Sequence, residues 1–108
     1  MNYDEMKKKI EQQIKNHKIV LYMKGTKEMP QCGFSAAVVK CLDDVGANYE
    51  TVDVLSDEET RSGIKTFSNW PTIPQLYVAG KFVGGCDIVR ELHAKGELKK
   101  LVEEAIEK

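Results

Sequence analysis

The chain has 108 residues, of which 42% are hydrophobic and 31% are charged, and its net charge is −1. This length and composition predict one domain, spanning residues 1–108, that buries a core. The near-neutral charge argues against a nucleic acid or membrane partner, and no apolar run approaches the ~18 residues of a membrane span.

The first half of the chain predicts a helix, a strand, a helix and a strand. Apolar residues recur on one helical stripe over residues 3–16. The run "KIVLYM" at 18–23 is almost continuously apolar, which is typical of a strand buried on both faces. Residues 34–45 have the pattern of a helix that Gly46 ends. Residues 49–54 alternate as a strand does.

The second half predicts a helix, two strands and two more helices. Ser56 followed by Glu59 has the spacing of a capping box and predicts a helix that begins there and continues through Phe67. The segment "SNWPTIP" interrupts this helix with two prolines. The runs "QLYV" and "KFVG" flank residues 79–80, which predicts a tight hairpin. Gly96 divides the last two helices.

The predicted order is therefore α-β-α-β-α-β-β-α-α. A β-α-β unit favours a parallel strand pair with a right-handed crossover, whereas the later hairpin is antiparallel. The sequence thus predicts an α/β fold, with a four-stranded mixed sheet flanked by helices.

The three cysteines are Cys32, Cys41 and Cys86, an odd number at wide spacing. They form no disulfide framework, and no pair has the spacing of a zinc site. The chain also begins without the apolar segment of a secretory signal. We expect the cytoplasm as its location, with an organelle matrix as the alternative for a processed mature chain.

Cys32 stands where a predicted strand and loop give way to a predicted helix. Free N–H groups and the positive end of the helix dipole favour the thiolate there, and Lys24 adds a positive charge. The small residues Gly33 and Ser35 leave room for another molecule. The alternative is an inert, buried cysteine, but Pro30 just ahead of it indicates a surface loop.

Four motifs occur in order along the chain: "MKGT", "CGFS" at residues 32–35, "WPTIPQLYV" and "GGCDI". With them the chain resembles the CGFS-type monothiol glutaredoxins of the thioredoxin superfamily, over residues 19–101. The resemblance implies a thioredoxin-like fold and a bound glutathione. It also implies that Cys32 is the reactive residue and the metal ligand.

The resemblance further implies where glutathione binds. The backbone of Ile73, ahead of a cis Pro74, pairs with its cysteinyl part, while the Cys86 backbone and the Asp87 side chain hold the γ-glutamyl end. The alternatives are an ordinary strand-initiating proline at Pro74 and a simple helix cap at Asp87.

The glycyl carboxylate of glutathione would meet Lys24 and Arg61 in the same scheme. An arginine offers a fork suited to a carboxylate and a lysine offers a mobile point charge. The alternative for each is a solvated surface charge. Lys65, one helical turn after Arg61, is the weaker candidate.

A single thiol leaves two main functions, because Ser35 cannot resolve a disulfide formed by Cys32. The first is a [2Fe-2S] cluster, which commonly takes four thiolates: one Cys32 from each of two chains and two glutathiones. The resemblance implies this homodimer, delivery of the cluster to apo iron–sulfur acceptor proteins, and pairing with a BolA-family protein. The second is glutathione-dependent thiol–disulfide exchange, which the resemblance implies is weak. A docking adaptor without chemistry is a third class.

Overall fold

The computed structural model describes residues 2–107, which form five helices and four strands in the predicted order. They are α1 (Tyr3–Asn16), β1 (Ile19–Met23), α2 (Gly33–Asp44), β2 (Glu50–Asp53), α3 (Glu58–Ser68), β3 (Gln75–Val78), β4 (Lys81–Gly84), α4 (Cys86–Ala94) and α5 (Glu97–Glu107). The predicted α/β fold is thereby confirmed. No helix among these has the length and apolar composition that a membrane crossing requires.

The four strands form one mixed sheet in the order β2-β1-β3-β4. β1 pairs parallel with β2 and antiparallel with β3, and β3 pairs antiparallel with β4. All five residues of β1 are buried, as its continuous apolar run predicts. Tyr22 lies opposite Gln75, and Leu76 lies opposite Gly84. The end of β1, the start of β3 and the end of β4 therefore meet at one edge of the sheet.

Alternate residues of β1 enter two different cores. Ile19, Leu21 and Met23 pack in a cluster that contains apolar residues of α2, α4 and α5. Val20 and Tyr22 pack in a second cluster with residues of α1 and α3. Because successive side chains of a strand point to opposite faces, helices cover the sheet on both sides.

The start of α3 differs from the predicted capping box. Asp57, not Ser56, is the N-cap, and its Oδ1 accepts hydrogen bonds from the backbone N–H groups of Glu59 at 3.1 Å and Thr60 at 3.4 Å. The Ser56 hydroxyl instead donates to the backbone oxygen of Asp53 at 2.8 Å. The prediction of Ser56 as cap is therefore wrong, because the turn after β2 already engages its hydroxyl.

The hairpin between β3 and β4 has the predicted two-residue turn. Ala79 has φ 52° and Gly80 has φ 78°. Positive φ at both central residues is the signature of a type I′ turn, whose twist matches that of the flanking strands. The turn sets the pairing of Tyr77 with Phe82, and a register shift between Leu76 and Tyr77 then brings Gly84, the last residue before the cap of α4, opposite Leu76.

Candidate functional site

A cleft of about 480 Å³ opens at the sheet edge where β1, β3 and β4 converge. The loop after β1 leads into α2, and the residue after the end of β4 leads directly into α4, so two helix N-termini face this edge. The residues that line the cleft are Lys24, Cys32, Phe34, Lys65, Pro71, Thr72, Ile73, Pro74, Cys86 and Asp87. The fold thus brings together all but one of the sequence-predicted site residues.

Cys32 is the N-cap residue of α2, with extended backbone angles. Its half-buried thiol lies at the open end of the helix, where the first N–H groups lack intrahelical partners. The backbone N–H of Ser35 lowers the pKa of the Cys32 thiol the most, and the N–H of Phe34 and the charge of Lys24 add to this effect. Partial burial opposes the shift without reversing it. The expected thiolate-favouring environment is confirmed.

Ser35 occupies the place of the second cysteine of a C-x-x-C motif, and it is fully buried. Its Oγ accepts a hydrogen bond from the backbone N–H of Lys24 at 3.2 Å. The hydroxyl also contributes a hydrogen bond that lowers the pKa of Cys32. Ser35 therefore joins the end of β1 to the thiol, a role that its small size alone did not reveal.

The segment before β3 forms a second wall of the cleft. The Ile73–Pro74 peptide bond is cis, as the resemblance implied. Trp70 packs against Phe82 with ring centroids 5.7 Å apart, and a Cβ on Gly85 would come within 3.2 Å of the Trp70 indole nitrogen. Glycine at 85 therefore lets this wall approach the start of α4 closely.

Gly85 is the N-cap of α4, and Cys86 and Asp87 are its first two residues. Asp87 is therefore inside the helix rather than its cap, and its exposed carboxylate lines the cleft. Burial raises the pKa of the Cys86 thiol, although the Arg90 guanidinium opposes this shift. Cys86 thus remains a thiol beside the cleft, and its backbone N–H belongs to the first turn of α4.

The two lysines that line the cleft are Lys24 and Lys65. Arg61 is not among the lining residues, and its Nη1 lies 3.8 Å from Glu58 Oε2 on the same helix. Within residues 2–107 neither lysine forms an ion pair, so both charges are available to a ligand. The role of Arg61 stays a prediction, and the structure places the weaker candidate, Lys65, in the cleft.

Three lining residues, Phe34, Pro71 and Thr72, were not predicted as site residues. All three lie inside the motifs that carry the family resemblance, so the sequence already marked these segments. Which side chains of a motif reach the cleft depends on their direction in the folded chain. Phe34 is 62% exposed at the second residue of α2.

Cys41 lies outside the cleft in the core between α2 and α4, and burial raises the pKa of its thiol. Its small, buried side chain fills space in that core.

Residues 19–83 match the glutaredoxin family. The chain belongs to the glutaredoxin family. It is 55% identical over 102 residues to an uncharacterized ycf64-like monothiol glutaredoxin from Synechocystis, covering 94% of this chain and 95% of that protein. It is 48% identical to the chloroplastic monothiol glutaredoxin-S7 of rice, covering 94% of this chain and 61% of that protein. These relatives confirm the assignment to the monothiol glutaredoxins that the four sequence motifs predicted.

Solved structures give the same result for the thioredoxin-like fold. The solution structure of reduced apo GrxS14 from poplar superposes with a TM-score of 0.83 at 48% identity, covering 95% of this chain and 94% of that one. The crystal structure of a buckwheat glutaredoxin–glutathione complex superposes with a TM-score of 0.84 at 25% identity, covering 95% and 92%. The predicted fold is therefore confirmed by its relatives as well as by its topology.

Proposed function

We propose that this glutaredoxin binds glutathione in its cleft and carries a [2Fe-2S] cluster shared between two copies of the chain. The observation that supports this most is the single activated thiol of Cys32, with buried Ser35 where a resolving cysteine would stand. Such a site offers one thiolate to a ligand in the cleft, and its motif has no second cysteine that could form a disulfide with that thiolate.

Glutathione suits the charges around the cleft. The tripeptide carries two carboxylates and one ammonium group. Lys24 and Lys65 would meet the glycyl carboxylate, and the N–H groups of the first turn of α4 would meet the γ-glutamyl carboxylate. The Asp87 carboxylate would meet the ammonium, and the Ile73 backbone the cysteinyl part. The buckwheat glutaredoxin that shares this fold was crystallised as a complex with glutathione.

The ligands that one chain offers suit a cluster shared between two chains better than a cluster bound by one chain alone. Among residues 2–107, no three His, Cys, Asp or Glu side chains are grouped so that they would hold a metal ion. A [2Fe-2S] cluster commonly takes four thiolates, so Cys32 from each of two chains and the thiols of two glutathiones complete the set. Cys86 and Cys41, whose thiol pKa values burial raises, are poorer ligands because only the thiolate binds.

The cluster is cargo in this scheme. We propose that the dimer passes it to apo iron–sulfur acceptor proteins, and that the chain also pairs with a BolA-family protein. The three cysteines are free, which fits a reducing compartment. We propose the cytoplasm, with an organelle matrix as the alternative, since the rice relative is named chloroplastic.

Anaerobic reconstitution with iron, sulfide and glutathione tests this function. The expected product is a coloured dimer whose formation requires glutathione. Cys32→Ser should abolish the colour, whereas Cys41→Ser should retain it, because Cys41 lies in the core away from the cleft. Cluster formation without glutathione, or colour retained by Cys32→Ser, would contradict the proposal.

The second candidate is glutathione-dependent disulfide exchange, which the lowered pKa of Cys32 also favours. The Cys32 thiolate would attack the glutathione sulfur of a glutathionylated substrate, and the substrate would leave as a thiolate. A second glutathione thiolate would then attack that mixed disulfide, releasing oxidised glutathione and restoring the Cys32 thiolate. Robust turnover by the apo monomer in a glutathione-coupled reduction assay would move this activity to first place.

A further inference from the structure

We propose that Lys27 is a positioning residue for the cleft, because its ammonium group fastens the loop of residues 24–31 to Tyr49. This inference rests on the proposed function in that the loop carries Lys24 and leads into Cys32. Lys27 itself is not among the residues that line the cleft. Its effect on a ligand would therefore pass through the loop.

The loop is closed on itself by backbone hydrogen bonds. The N–H of Gln31 donates to the Lys24 oxygen at 2.9 Å, and Thr26 and Met29 exchange two bonds at 3.1 and 3.3 Å. Gly25 has φ +90°, and a Cβ there would lie 2.6 Å from the Met29 oxygen. These bonds fold the loop back on itself, so that Lys24 lies beside Gln31, the residue that precedes Cys32. They are all internal to the loop and do not attach it to the rest of the fold.

Lys27 supplies a side-chain attachment at the exposed end of the loop. Its Nζ donates to the backbone oxygen of Tyr49 at 3.0 Å and lies 4.6 Å from the centroid of the Tyr49 ring. Tyr49 is only 6% exposed, and its hydroxyl donates to Asp43 Oδ1 at 2.9 Å. Asp43 belongs to α2, the helix that begins at the Cys32 cap. One buried tyrosine thus holds both the loop before Cys32 and the helix after it.

A second attachment lies nearer the cleft. The N–H of Gly25 donates to Asp53 Oδ1 at 2.9 Å, and the same oxygen accepts the N–H of Leu55 at 2.9 Å. This bond fixes the first turn of the loop, whereas Lys27 fixes its outer part. The two lysines of the loop therefore have separate tasks: Lys24 presents its charge to the cleft, and Lys27 keeps the loop that carries Lys24 in place.

The test compares amide hydrogen exchange in the apo chain of Lys27→Met, Lys27→Arg and Lys95→Met. Lys95→Met is a matched control, since Lys95 also donates a 2.9 Å bond, to Glu91, but on the exposed end of α4. Losing a cation–π contact and a hydrogen bond should speed exchange at Met29 and Gln31 about tenfold in Lys27→Met. Lys27→Arg should restore slow exchange, and the amides of α5 should not change in any variant.

Glutathione titration at two salt concentrations supplies the second readout. Lys27→Met should weaken binding about threefold without changing its salt dependence, whereas Lys24→Met should reduce the salt dependence as well. Unchanged exchange at Met29 and Gln31 in Lys27→Met, or an equal rise in Lys95→Met, would overturn the inference. Failure of the wild-type chain to bind glutathione would instead contradict the proposed function, while the exchange readout would still decide the role of Lys27.

Discussion

The buried hydroxyl of Ser35 accepts a hydrogen bond from the backbone N–H of Lys24 at 3.2 Å. A hydroxyl also has one hydrogen to donate, and here it contributes a bond that lowers the pKa of Cys32. Ser35 therefore connects the residue that carries a cleft cation to the residue that carries the reactive thiol. The serine of "CGFS" is a structural acceptor as well as a substitute for a second cysteine.

Ser35→Ala should destabilise the fold by about 1–3 kcal/mol, because it leaves the Lys24 N–H without its acceptor. It should also raise the pKa of the Cys32 thiol slightly, because the Ser35 hydroxyl makes the smallest of the contributions that lower this pKa. Urea unfolding measures the first effect, and thiolate absorbance against pH measures the second. Ser62→Ala, at an exposed position of α3, is the control and should change stability by less than about 0.5 kcal/mol. A Ser35→Ala variant as stable as this control would contradict the role given to the hydroxyl.

The thiol of Cys32 should react with iodoacetamide faster than the thiols of Cys41 and Cys86. Helix N–H groups lower the pKa of Cys32, whereas burial raises the pKa values of Cys41 and Cys86. As pH falls below the usual thiol pKa, labelling of Cys32 should persist after labelling of the other two has stopped. Mass spectrometry of the labelled peptides over a pH series measures this order. Equal rates at Cys32 and Cys86 would show that the helix terminus does not activate the thiol.

The sequence predicted most of the fold because its signals were local and strong. The apolar run of β1 and the residue pair at 79–80 each specify one structure, and both were found. The cap of α3 was missed because Ser56 and Asp57 are adjacent, and only the turn after β2 determines which side chain is free to cap.

The cleft cations show a second limit of the sequence. Arg61 and Lys65 lie one turn apart on α3, so they share a helical face and the same periodic signal. Which of them reaches the cleft depends on how far α3 is shifted along the sheet, and no local pattern records that shift. The motifs around Cys32, Ile73 and Cys86 were easier, because each adjoins an element end that the topology brings to one edge.

Lys65→Met should weaken glutathione binding about fivefold, and Arg61→Met should have a smaller effect. Lys65 lines the cleft, whereas Arg61 lies 3.8 Å from Glu58 and outside the lining. Calorimetric titration of the apo chain measures both affinities, with Arg61→Met as the matched loss of one charge on the same helix. A larger loss for Arg61→Met would support the original prediction for Arg61 and contradict the assignment of Lys65.

The stability of the chain should fall between pH 4 and pH 2 through Asp57. Hydrogen bonds from the Thr60 hydroxyl and from Lys9 lower the pKa of this carboxyl from 3.8 to about 2. Because the folded chain holds the carboxylate form more strongly than the unfolded chain does, the stabilisation is complete above the unfolded pKa. It is then lost as pH falls through the folded pKa.

Asp57→Asn tests this assignment, since it keeps a side-chain oxygen at the N-cap of α3 but removes the titrating group. Thermal unfolding from pH 6 to pH 2 should show a steeper loss of Tm below pH 4 for the wild-type chain than for Asp57→Asn. Asp4→Asn, on the exposed first turn of α1, is the control and should follow the wild-type curve. Parallel curves for the wild-type chain and Asp57→Asn would contradict this assignment. They would mean that the Asp57 carboxylate adds no pH-dependent stability, and that its contacts with Thr60 and Lys9 stabilise the N-cap of α3 equally well with an uncharged side chain.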